Sequence, residues 1–118
     1  MNKKEIFKVL GEDFKKVVEQ YRMARSEEEE LKEYDFYKNY NEELRNRNSI
    51  YTSKNIVNIK RVDYWRDIVR SKIEVIGAIG GFEMMQEFSY YLSEIDNQGL
   101  MLESAFCYLA DGICGWCA

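Results

Sequence analysis

From Ile6 the apolar positions Ile6, Phe7, Leu10, Phe14, Val17, Val18 and Tyr21 recur at spacings of three and four, the pattern of one helical face. The spacing predicts a helix over residues 3–25. Ser26 followed by Glu29 has the form of a capping box, and the acidic run at residues 27–30 suits a helix N-terminus. A second helix is therefore expected to start there, unless the first continues through a bend. This segment, to about Asn46, offers Leu31, Tyr34, Tyr37, Tyr40 and Leu44, a narrow and mostly tyrosine stripe that fits a covering helix or an arm. Residues 45–55, RNRNSIYTSKN, lack helical periodicity and are rich in Asn and Ser, which marks the main connection. Ile56, Val57 and Ile59 suggest a short strand over residues 56–59.

Helical spacing returns with Trp65, Ile68, Val69, Ile73 and Ile76 and then meets Gly77, Gly80 and Gly81. Glycine inside a helix costs about 1 kcal/mol relative to alanine, so the cluster should either break or kink the chain or admit a neighbouring helix closely. A break or sharp kink is the favoured reading. Beyond it, Met84, Met85, Phe88, Tyr91, Leu92 and Ile95 fall on one side of an amphipathic helix, with Glu83, Glu87, Tyr90 and Glu94 on the other. DNQG at residues 96–99 reads as a turn, and Leu102, Ala105, Phe106, Leu109 and Ile113 define a final helix. The pattern predicts an all-α single domain of about four or five helices. Residues 1–46 supply N-terminal helices or an arm, 47–60 the connection and 61–118 the helical core. Phe14, Trp65, Phe88 and Phe106 should be largely buried.

Composition narrows the chemistry. The 118 residues fit one domain, and 46% hydrophobic with 32% charged residues is globular rather than disordered composition. Histidine is absent, which removes imidazole bases, His metal ligands and Ser-His or Cys-His nucleophile pairs. The opening MNKKEIFKVLGEDF scatters charges through what would be the apolar part of a signal peptide, and VIGAIGGF is far shorter than the ~20 residues of a bilayer span. A soluble, cytoplasmic protein without membrane partners is expected. The net charge of -4 is mild, but no Lys or Arg follows Lys72 whereas Glu74, Glu83, Glu87, Glu94, Asp96, Glu103 and Asp111 do. Such asymmetry bears on partners.

Three constellations could carry function. The last residues, CGWC at 114–117, have the form of a redox dithiol, but that motif works at the start of a helix, and here only Ala118 follows. As a zinc site, Cys114 and Cys117 with Cys107 give three thiolates where structural zinc usually takes four ligands. The expected reading is small apolar residues closing a helix, with Trp116 as anchor, and no cofactor. The second constellation is the basic and aromatic span 45–72: Arg45, Arg47, Lys54, Lys60, Arg61 and Tyr64 would serve phosphates and bases. Asp63 and Asp67, three residues before Arg66 and Arg70, argue instead for surface ion pairs. The third is the carboxylate row Glu83, Glu87 and Glu94 with Tyr90 between, and Glu103 and Asp111 beside it. With no cation following in the sequence, this face should lack local ion pairs and attract a basic partner.

The sequence therefore points to a non-enzymatic protein-binding inhibitor or regulator that docks an acidic helical face onto a basic protein partner, a nucleic-acid-binding complex being one such partner. Small anti-defence proteins of phages and mobile elements act this way by analogy. The alternatives are a nucleic-acid binder using residues 45–72 and a thiol or zinc protein using the CGWC, and a homodimer stays open.

Overall fold

The computed structural model describes the backbone of residues 2–38 and 48–117 and the side chains of residues 2–27 and 61–117. The helices are α1 (Lys3–Lys38), α2 (Asn48–Ile95) and α3 (Leu102–Leu109), and no strand occurs among the described residues. The all-α class holds, with three helices among the described residues where about four or five are expected. The structure decides one expected boundary and overturns another, each for a physical reason. At Ser26 the second of the two readings holds: α1 continues through it, because the polar run after it is made of good helix formers. Residues 56–59 do not form a strand: their backbone is helical, as it is from Asn48 onward, so residues 48–60 of the expected connection are part of α2. The second expectation fails because it equates a lack of amphipathic spacing with a lack of helix. The tyrosine stripe over residues 31–44 lies outside the described side chains.

The glycine cluster does break the chain. Gly81 has φ 68° and ψ −159°, a conformation that residues with a Cβ essentially never take, and it divides α2 into a long first arm and a second arm over residues 82–95. Gly77 serves the other purpose foreseen for the cluster. A Cβ there would stand 3.0 Å from Cys114 Sγ and 3.2 Å from Met85 Sδ, so its bareness lets the turn after α3 and the second arm close on the first.

α1 packs on both arms of α2, meeting the first through Asp13 and Lys72 and the second through Phe7 and Phe88, and α3 packs on α2 as well. The core takes Phe7, Phe14, Val18 and Tyr21 from α1, Val69, Ile73 and Ile76 from the first arm, Met85, Phe88 and Leu92 from the second, and Leu102, Phe106 and Leu109 from α3. α1 is therefore as much a core element as residues 61–118. Phe14, Phe88 and Phe106 are fully buried and meet edge to face or tilted at 5.7–6.1 Å, while Phe7 meets Phe88 at 5.3 Å. Such ring pairs add about 0.5–1.5 kcal/mol each beyond the area they bury. Trp65 departs from expectation: it is half-buried at the margin of the core and packs edge to face on exposed Tyr64 at 5.2 Å.

The link between α2 and α3 is built by Asp96. Its carboxylate accepts the backbone N–H groups of Leu100 at 3.1 Å and Leu102 at 3.0 Å, which satisfies a donor at the start of α3. Arg22 of α1 donates to the Leu100 carbonyl at 3.2 Å and ties the link down. Among the described residues no helix is long and apolar enough to cross a membrane.

Candidate functional site

The side chains proposed from sequence separate when placed on the fold. Glu87 accepts an ion pair from Lys3 of α1 at 2.8 Å, so the expectation that this row has no nearby cation is wrong at its centre. The two are 84 positions apart, and only the packing of α1 on the second arm brings them together. Burial, aided by the Glu12 and Glu94 carboxylates, pushes the Tyr91 phenol above its ordinary pKa. Asp111 follows α3, where its backbone carbonyl accepts from Arg70 at 2.7 Å, and it takes no part in the surface around Tyr90.

Tyr90 and Glu103 do come together. They line an open groove of about 380 Å³ between the second arm of α2, α3 and the turn after it. Phe82, Gln86 and Tyr90 form one wall, Glu103 and Cys107 of α3 another, and Trp116 and Cys117 close the end. Phe82, Gln86 and Tyr90 recur every fourth residue, so they form a stripe along the second arm between its buried and acidic sides. Tyr90 is 57% exposed and Phe82 43% exposed. Glu103, like exposed Glu83, ion-pairs with none of the described residues. The spacing of Phe82, Gln86 and Tyr90 was visible in the sequence; its meeting with Trp116 was not.

The end wall is held firmly. After α3 the chain folds through Gly112 (φ 84°), Cys114 (φ 49°) and Gly115 (φ 81°), and the Gly112 N–H donates to the Trp116 carbonyl at 2.8 Å. This compact turn presents the indole of Trp116, whose Nε1–H donates to the Cys107 carbonyl at 3.1 Å. The ring lies 5.2 Å from Phe82 and 5.6 Å from buried Phe106. Trp116 is thus an anchor, as its sequence context suggests, and also part of a surface.

The three cysteines are free thiols and serve different surroundings. Cys114 packs over Gly77, whereas Cys107 and Cys117 line the groove. Burial, aided by the Glu103 carboxylate, pushes the Cys107 thiol up and keeps it protonated, the opposite of what a reactive thiolate needs. Among the described residues no three His, Cys, Asp or Glu side chains gather as metal ligands.

In the basic span, Arg45 and Arg47 lie outside the described residues, as do the side chains of Lys54 and Lys60. The described cations are engaged internally. Arg61 pairs with Glu27, Arg66 with Asp63 at 3.1 Å, and Lys72 with Asp13 at 3.0 Å. Arg70 was expected to face Asp67. It instead donates to the Leu109 and Asp111 carbonyls at 2.7 Å each, the end of α3 where unpaired carbonyls favour a cation, with Glu74 at 3.9 Å. Tyr64 is exposed, at 60%. The chain matches no protein-family model, no curated protein and no solved structure.

Proposed function

We propose that the protein acts by binding another protein, without chemistry of its own, and that the groove bounded by Tyr90, Glu103 and Trp116 is the docking surface. The observation that carries this reading is the exposed Tyr90 ring lining one groove with the Glu103 carboxylate, which ion-pairs with none of the described residues, and with a firmly held aromatic wall. Tyrosine and tryptophan bring large contact area at little entropic cost and are enriched where partners anchor. Glu103 gives the groove its acidic character, so the fitting partner is basic there. A protein that binds in this way without a reactive group works by occupying its partner's surface, as an inhibitor or regulator does. The internal pairing of Arg61, Arg66, Arg70 and Lys72 gives direct nucleic-acid binding no comparable support.

The test is comparative capture from cells that naturally make the protein. Wild type and a Glu5→Lys, Glu12→Lys control should retain the same protein, and Tyr90→Ala with Glu103→Lys should lose it while keeping its helical circular dichroism. Identical retention by all three would remove the groove from consideration.

A further inference from the structure

Resting on this docking surface, we propose that the groove receives a lysine or arginine side chain of the partner, its alkyl stem against Tyr90 and Trp116 and its charge at the Glu103 carboxylate. Aromatic faces carry partial negative charge and attract cations, tryptophan most strongly. Trp116 offers such a ring with its donor already committed: the indole N–H is bonded inward to Cys107, and Phe82 backs the ring at 5.2 Å. No polar edge of the indole is left demanding a hydrogen-bond acceptor from the ligand.

The charge balance selects among occupants. Glu103 ion-pairs with none of the described residues, and no Lys or Arg lines the groove. An anionic occupant would meet the Glu103 carboxylate with no lining cation to offset it. A purely aliphatic occupant would strip water from the carboxylate and return no partner for it, a costly arrangement. A cation on an alkyl stem satisfies both components: methylenes cover the rings and the terminal group replaces the carboxylate's water. Gln86 and the polar rim give such a side chain further acceptors, and about 380 Å³ lies within the range of small-ligand pockets. The charge of Glu103 is already felt within the groove, since it helps to raise the Cys107 thiol.

The experiment uses n-butylammonium chloride as a lysine side-chain mimic, n-butanol as its neutral counterpart and sodium chloride at matched ionic strength. The chain has two tryptophans, so nuclear magnetic resonance of the indole N–H groups carries its own control. Butylammonium should shift the Trp116 signal in a saturable way, leave Trp65 in place and exceed the effect of butanol and salt. Glu103→Gln should weaken the response about tenfold, the scale of losing one charge-assisted contact, and Tyr90→Ala should weaken it without altering the remaining spectrum. Equal shifts with butanol, no shift at Trp116, or an unchanged response in Glu103→Gln would overturn the proposal. Capture of a partner through the groove without a butylammonium response would leave the docking surface standing and remove its cationic occupant; a response without groove-dependent capture would do the reverse.

Discussion

The two arms of α2 on either side of Gly81 handle charge in opposite ways. Every described cation of the first arm has an internal partner: Arg61 and Lys72 reach carboxylates of α1, Arg66 reaches its own arm, and Arg70 caps the end of α3. The second arm carries carboxylates and no cation, and of Glu83, Glu87 and Glu94 only Glu87 has an ion pair among the described residues. The basic span looks like a binding surface in sequence and its described part is largely structural. The acidic span looks uniform and is divided: Glu87 is paired with α1, whereas Glu83 and Glu94 ion-pair with none of the described residues. A charge run is therefore informative only once its partners are located.

The largest expected effect lies where the second arm faces inward. Phe88 is fully buried and touches Phe7, Phe14 and Phe106, so Phe88→Ala should cost about 3–5 kcal/mol in urea unfolding. Glu83→Gln, on the outer side of the same arm, should change stability by less than about 0.5 kcal/mol. Similar losses for the two would mean that the arm has no free side and would erase the contrast.

On the first arm the contrast is between two arginines four residues apart. Arg70→Ala leaves the Leu109 and Asp111 carbonyls without their donor and should cost about 1.5–3 kcal/mol, whereas Arg66→Ala, with an exposed partner in Asp63, should cost about 0.5 kcal/mol or less. Equal costs would show that the first arm's charges are ordinary surface pairs.

These cases mark how far the sequence could be read. Phe14, Phe88 and Phe106 were legible because helical periodicity names the centre of an apolar stripe. Trp65 was misjudged because periodicity does not separate the centre of a stripe from its edge. Gly77, Gly80 and Gly81 announced a break, yet only the approach of Cys114 shows that Gly77 admits a neighbour while Gly81 turns the chain. Lys3 with Glu87, and Arg70 with the end of α3, join segments far apart in sequence, where local spacing says nothing. Trp116 reached its role through a turn built from positive φ angles, which helical templates do not represent.

A smaller effect is expected from Asp96, at the end of the second arm. Its bonds from Leu102, then Leu100, outweigh partial burial and hold its carboxyl below the ordinary range. The folded pKa is lower than the unfolded one, so the stabilisation is present in full above ~3.9 and is lost as pH falls through the folded value. Asp96→Asn should cost about 1 kcal/mol at pH 7, the scale of a lost helix cap, and the gap from wild type should narrow on acidification. A gap that stays constant or widens as pH falls would show that the carboxylate's charge does not hold this link.

The smallest expected effect tests the division of the acidic arm itself. Lys3 and Glu87 are 59% and 50% exposed, so water already solvates both charges and ordering two long side chains offsets much of their attraction. Lys3→Ala should therefore change stability by less than about 1 kcal/mol, and by less still in high salt. Its value lies in what it leaves alone. Removing Lys3 unmasks the Glu87 charge on the flank facing α1, while the groove on the other flank keeps Tyr90, Glu103 and Trp116 in place. If the flanks act separately, the response of Trp116 to butylammonium should be the same in Lys3→Ala and Glu87→Gln as in wild type, within about twofold. A marked strengthening in Lys3→Ala, matched by weakening in Glu87→Gln, would mean that the field of the whole carboxylate row reaches the groove. Glu87 would then regain the place that its sequence position suggested and its ion pair argues against.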